Sequence, residues 1–198
     1  VVVFEDLLHN EVTVEAHHDL KDEKQSVDYP DGHTTALDTE TKDHLALADE
    51  KVTLIDTVYY ENLHENYQYT FKGILMDKDT GEALLVDGKT VENSVTVTIT
   101  EKNGSIEIPF TFNASLLKGK TFVVFEDVIH NGINVIIHHD IEDEEQTLHI
   151  PEAHTTAEDG ITEDHIGLSE EKMTVTDTVI YKNLIPGKEY TVKGVLML

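Results

Sequence analysis

Five residues with ionisable or reactive side chains recur at one fixed offset: Glu5/Glu126, His17/His138, Gln25/Gln146, Thr34/Thr155 and Asp56/Asp177, each pair 121 positions apart. Around them "VVFED" (2–6, 123–127), "HHD" (17–19, 138–140), "HTTA" (33–36, 154–157) and "DTV" (56–58, 177–179) repeat without an insertion or deletion. Roughly half of the aligned positions match, and the period is well above the roughly 20–50 residues of a solenoid repeat, so each unit owns its core. The register also places the cuts: residues 1–28 end one unit, 29–149 form a complete unit, and 150–198 begin a third. Both ends read as interruptions of domains, and adjacent repeats of the same polypeptide are the expected partners.

Fourteen basic against forty acidic residues give a net charge of −26, which nucleic-acid phosphates and anionic lipid surfaces repel. Neither is an expected partner. No apolar run has the length of a membrane span, so no membrane insertion is expected in this segment. The absence of cysteine excludes disulfides and thiolate metal sites, while the acidic, threonine-rich, repeated character suits a protein that works outside the cell.

The periodicity is that of an all-β chain. Segments 51–60, 67–76, 94–100, 105–112, 121–127 and 133–139 are rich in β-branched and aromatic residues and alternate with period two. Asp79-Thr80-Gly81, Asp87-Gly88, Asn103-Gly104 and Asn131-Gly132 read as hairpin connections, and Asn113 to Lys120 as a short helical turn. Many short antiparallel strands in a unit this size predict immunoglobulin-like β-sandwich repeat domains in tandem.

Alternation puts chemistry inside. Asp56 shares a strand face with Val52, Leu54, Val58 and Tyr60, and Asp177 lies in the same way among Met173, Val175 and Val179. A carboxylate there must find a proton, a partner or a strong donor. Gln146 groups with Leu148 and Ile150, and Gln25 with Val27 and Tyr29. Taken singly, each of these reads as an ordinary core hydrogen bonder. Together they are retained while intervening positions drift, which points to a shared task.

Two readings from other classes stand beside it. Twelve histidines and two "HHD" motifs suggest a His/Asp metal-binding module, with "DKDTGE" (77–82) as a faint calcium loop. Adjacent strand residues point to opposite faces, however, so His138 and His139 do not converge on one ion, and "DKDTGE" reads better as a hairpin turn. The second is a plain β-sandwich spacer or a carbohydrate- or protein-binding module without a crosslink. No glycine-rich cradle, nucleophile elbow or cofactor fingerprint occurs, so a turnover enzyme, a bound metal and a cofactor are not expected.

"VVFE" in both copies, "HTTA", "DTVYYENL" (56–63), "DTVIYKNLIPGKEYTVKG" (177–194), "MDKDTGEAL" (76–84) and "HHDIEDEEQT" (138–147) occur in fixed order along the whole chain. In this they resemble the Gram-positive surface-anchored proteins with repeats named for a Val-Ala-Phe-Glu motif, which carry intramolecular Thr–Gln ester-bond domains. The motif's Ala is replaced by Val3 and Val124, and "NLIPGKEY" becomes "NLHENYQY" at 62–69. The resemblance implies an extracellular, cell-wall-anchored adhesin stalk, not an enzyme with turnover. Each complete repeat would seal itself by one side-chain ester joining its first and last strands.

For the central repeat the resemblance implies that Thr34 attacks the Gln146 carboxamide and expels ammonia. His138 would be the general acid/base, with Asp56 and Glu126 as an acid pair of which one member stays protonated. Thr34 is preferred over Thr35 because the family's reactive threonine lies two residues before an alanine, here Ala36, and because Thr34 shares a strand face with Ala36. Strict alternation groups His139, not His138, with Val135 and Ile137. The family register favours His138, which requires a β-bulge before it. Glu107 is a weaker candidate than Glu126. The same scheme gives two half-sites, Glu5, His17 and Gln25 at one end and Thr155 and Asp177 at the other, and their complementarity makes strand exchange between the truncated ends an expectation.

Overall fold

The computed structural model describes residues 1–167, 169 and 171–197. Its elements follow the two-residue alternation. A hairpin of β1 (Glu5–His9) and β2 (Val12–His17) leads through a 3-10 turn (Glu23–Gln25) into the central unit. There follow β3 (Asp31–Asp38), β4 (Val52–Glu61), β5 (Gln68–Asp77), the short β6 (Glu82–Ala83), β7 (Leu85–Val86) and β8 (Lys89–Thr90), then β9 (Glu92–Thr98) and β10 (Gly104–Phe112). The unit closes with β11 (Thr121–His130), β12 (Ile133–His138), a 3-10 turn (Glu144–Gln146) and β13 (Thr147–His149). β14 (Glu152–Asp159) and β15 (Val175–Lys182) form a final antiparallel pair.

Two antiparallel sheets make the central sandwich. One has the order β10-β4-β3. In the other, β5 and β11 are neighbours, β6 and β9 line the far edge of β5, and β12 and β13 line the far edge of β11. Inward residues alternate along every long strand: Leu54 and Val58 on β4, Phe71 and Leu75 on β5, and Ile108 and Phe110 on β10 are all buried. β13 clips the layers together. It pairs with β11 on one side, while Ala46 N–H donates to the His149 carbonyl (2.8 Å) and His149 N–H to the His44 carbonyl (2.8 Å) on the other. The chain is all-β, with an immunoglobulin-like sandwich flanked at each end by an antiparallel strand pair.

The connections divide into those the sequence announces and those it does not. Asn131-Gly132 and Asp87-Gly88 both have two consecutive positive φ angles (50° and 77°; 51° and 74°), the backbone of a type I′ hairpin turn. Asp79-Thr80-Gly81 joins β5 to β6 as a hairpin. Asn103-Gly104 does not turn a hairpin: β9 pairs with β5 and β10 with β4, so this link crosses from one sheet to the other. Residues 113–120 form tight turns and no helix. There the Asn113 side chain accepts from the N–H (3.0 Å) and hydroxyl (2.7 Å) of Ser115, a local bond that competes with helix formation.

Candidate functional site

The site lies at the seam between the sheets and follows from register alone. On the first sheet Asp56 has Ala36 opposite it on β3 and Ile108 opposite it on β10. On the second sheet Glu126 is flanked by Gly73 on β5 and His138 on β12. Both carboxyls point into the sandwich and meet there. Thr34 stands one inward position along β3 from Ala36, and Gln146 enters from the 3-10 turn before β13.

All four are inaccessible: Thr34 is 6% exposed, Glu126 2%, Asp56 and Gln146 0%. The Thr34 hydroxyl donates to Glu126 Oε2 (3.3 Å), and Gln146 Nε2 donates to Asp56 Oδ1 (3.3 Å). Three buried oxygens remain without a donor, Asp56 Oδ2, Glu126 Oε1 and Gln146 Oε1. One proton held between the two carboxyls satisfies the first two. Burial pushes the pKa of each carboxyl far above the ordinary range, and the Asp56 charge pushes Glu126 further. The His138 imidazole acts in the opposite sense on Asp56, as do its contacts with Glu126 and Gln146. At neutral pH the pair therefore keeps a proton, and of these three oxygens the Gln146 carbonyl is the one that no shared proton serves.

His138 reaches the site face because the hairpin is irregular. The β11–β12 register shifts between Val128 and Ile129: Val128 pairs with Ile136 but Ile129 with Asn134, so Val135 is an extra residue. This bulge turns His138 toward Glu126 and His139 outward. The His139 side chain is 43% exposed against 24% for His138, stacks on Phe125 (ring centroids 5.0 Å) and pairs with Asp127 (3.3 Å). Thr35 likewise faces out and donates to the Glu145 carbonyl (3.4 Å), and Glu107 is exposed. The hydrogen bond of His138 goes to Asp143 (Nε2 to Oδ2, 2.7 Å), whereas the Thr34 hydroxyl bonds to Glu126.

Asp143 is the site residue that the sequence reading missed. Its carboxylate also accepts from Glu145 N–H (2.9 Å) and so caps the turn that ends in Gln146. One side chain thus orients both the imidazole and the segment bearing the carboxamide. A signal for it exists, since Asp22 occupies the equivalent place 121 residues earlier. Gln146 also departs from the sequence reading. It is not on a strand sharing a face with Leu148 and Ile150. Gln146, Thr147 and Leu148 are buried in succession because the turn and β13 lie wedged between β11 and residues 44–46. Asp143→Ala should cost the uncrosslinked chain about 1–2 kcal/mol through loss of the cap. It should also slow any reaction that needs His138 held in place, which urea unfolding and a mass time course would measure separately.

The partial copies reproduce half of this geometry each. Glu5 pairs with His17 across β1–β2, with the same shift in register at Leu7/Leu8. His17 bonds Asp22 at 2.7 Å, and Asp22 caps the Glu23–Gln25 turn through Lys24 N–H (2.9 Å). At the other end Ala157 pairs with Asp177 and Thr155 with Val179, as Ala36 does with Asp56 and Thr34 with Val58. Glu5, His17, Thr155 and Asp177 are exposed and Gln25 is half-buried, because no facing sheet covers them within the described residues. Among the described residues no hydrogen bond or ion pair joins the site residues of one end to those of the other or to the central site. Among the described residues no three His, Asp or Glu side chains are placed to hold a metal ion.

A sandwich that buries a threonine hydroxyl, a glutamine carboxamide and a carboxyl pair between its sheets defines the ester-bond class of β-domain. The chain belongs to the T-Q ester bond containing domain family, whose model matches residues 1–29, 31–150 and 151–197. Two crystal structures of a bacterial adhesin from Mobiluncus mulieris, containing intramolecular disulfide, isopeptide and ester bond cross-links, have a similar fold. Each is 14% identical to this chain with a TM-score of 0.52, over 79% of this chain and 75% or 74% of theirs. Comparison with curated proteins gives no match.

Proposed function

We propose that the central unit is a stalk repeat of an extracellular bacterial adhesin and that it seals itself once, by an ester between Thr34 and Gln146. The observation that carries this reading is that the Thr34 hydroxyl and the Gln146 amide are each hydrogen-bonded to a different member of one buried acid pair. As Thr34 Oγ1 attacks Gln146 Cδ, its proton passes to Glu126, and the proton shared by the pair passes through Asp56 to the departing Nε2. A C–O bond forms, the C–N bond breaks, the formerly shared proton leaves on ammonia, and the hydroxyl proton takes its place on the acid pair. His138, held by Asp143 and set opposite Glu126, is placed to assist these transfers as a general acid/base. No proton is taken from outside and neither Thr34 nor Gln146 is regenerated, so the event is single-turnover processing and not enzymatic turnover.

The wider assignment follows from the motifs. "VVFE" in two copies, together with the T-Q family match and the adhesin-like fold, supports a repeat of the Val-Ala-Phe-Glu type in a cell-wall-anchored surface protein of a Gram-positive bacterium. No helix among the described residues is long and apolar enough to cross a membrane. The role suits a chain without cysteine, in which pulling loads the terminal strands and an ester there carries the load.

The intact mass of the denatured protein tests this directly. One ester lowers it by about 17 Da, the mass of ammonia, and peptide mapping should join the segments holding Thr34 and Gln146. Mild base should reverse the link and leave an acid at position 146. A mass equal to that of the sequence would leave these residues as core hydrogen bonders in a plain spacer or binding module.

A further inference from the structure

Next to Glu126 the second sheet has a hole that the first sheet fills. Gly73 is the cross-strand partner of Glu126, so the inward position beside this carboxyl carries no side chain. A Cβ on Gly73 would lie 2.6 Å from Phe110 Cζ and 3.6 Å from Ile108 Cδ1. Phe110 reaches there across the sandwich from β10, and Ile108, two residues before it, is the cross-strand partner of Asp56. Two apolar side chains from one strand thus wall the same flank of both carboxyls. The polar and titratable groups facing Glu126 all come from elsewhere: Asp56 on β4, Thr34 on β3, His138 on β12, and Asp143 and Gln146 from the turn. β5 and β10 contribute none.

A glycine inside a strand costs roughly 0.5–1 kcal/mol relative to alanine and marks a place where another group comes close. It recurs here as Gly194, 121 residues on, although the flanking Phe71 and Ile74 have become Val192 and Val195. We propose that Phe110, seated in the gap left by Gly73, is a positioning residue that keeps water from the Asp56–Glu126 pair and thereby sets the upper pH limit of ester formation. The inference rests on the crosslinking reading above and adds the device that keeps the shared proton in place. A carboxyl beside water releases its proton at lower pH than one sealed among hydrocarbon.

The test uses the full chain, synthesised cell-free, held in urea and refolded by dilution at pH 5 to 9, with loss of ammonia followed by intact mass. In Phe110→Leu the alkaline limit should move down by about one pH unit, which makes the reaction about tenfold slower on that limb. Phe122→Leu is the control. That ring is equally buried but packs edge-on against Phe112 (centroids 5.9 Å), and it lies on β11 four residues from Glu126, so its loss should weaken the fold and leave the limit unchanged. Gly73→Ala pushes the ring out of the gap and should shift the limit in the same direction as Phe110→Leu. Its profile decides the matter if Phe110→Leu does not refold. A wild-type limit in both Phe110→Leu and Gly73→Ala, or an equal shift in Phe122→Leu, would overturn the proposal. Wild-type protein that never loses ammonia would overturn the crosslinking reading itself.

Discussion

Thr34→Ala is expected to fold to the same sandwich, to keep its full sequence mass, and to unfold about 4–5 kcal/mol more easily than the sealed protein, provided the ester is unstrained. The size follows from chain topology: the link would close a loop of roughly 110 residues, and a crosslink of that span removes much of the freedom of the unfolded chain. The hydroxyl itself contributes little. Its removal leaves Glu126 Oε2 without a donor, a loss of about 1 kcal/mol, and a methyl-sized gap. Gln146→Ala should lose the same crosslink and more packing, since the carboxamide is wholly buried. Urea unfolding of the two variants beside the wild type, with intact mass recorded on each sample, measures this. A Thr34→Ala chain as stable as the wild type, with the wild type also uncrosslinked, would remove the ester from the account.

The second large effect concerns the acid pair. Glu126→Gln and Asp56→Asn should each slow ester formation by about 10²–10⁴-fold, because an amide at either place breaks the path from the Thr34 hydroxyl to the Gln146 nitrogen. The same pair makes the uncrosslinked protein sensitive to pH. Both carboxyls have folded-state pKa values raised by burial, so the folded state binds protons more tightly than the unfolded state. Their contribution to stability is complete below the ordinary carboxyl range and is lost as pH rises through the folded values. Thr34→Ala should therefore be less stable at pH 8 than at pH 5, by about 4 kcal/mol, one extra proton held across three pH units. Thr34→Ala/Glu126→Gln should lose most of that dependence. Denaturant midpoints at the two pH values distinguish these outcomes, and a flat profile in Thr34→Ala would show that the pair carries no shared proton.

Much of the site was legible because alternation is a local rule. Asp56 among Leu54 and Val58, and Thr34 two residues before Ala36, had to face inward once their segments were strands. Register then brought Asp56 beside Ala36. What alternation could not supply was any place where the period breaks. The extra residue at Val135 decides between His138 and His139, and no side chain there announces it. Gln146 is buried by a 3-10 turn wedged between strands, where Gln146, Thr147 and Leu148 are buried in succession, a pattern that a two-residue period does not produce. Asp143 escaped for a related reason: it works as a cap on that turn, in a stretch of acidic residues that reads as solvated surface. Sheet pairing across the sandwich is non-local, which is why Asn103-Gly104 looked like a hairpin and proved to be a crossing.

The shift in register at Val135, repeated in the β1–β2 hairpin, also explains why the two copies align without a gap. Downstream of such a point the inward and outward sets exchange places whenever the count of residues changes by one. A deletion between Asn131 and His138 would present His139 to Glu126, and an insertion would present Ile137; either turns His138 away from that carboxyl. Single-residue length changes, which surface hairpins elsewhere absorb with ease, would here take the inward histidine away from Glu126. Substitutions can accumulate in this hairpin, as Glu11 against Gly132 and Ala16 against Ile137 illustrate, but its length is held by the chemistry it must aim.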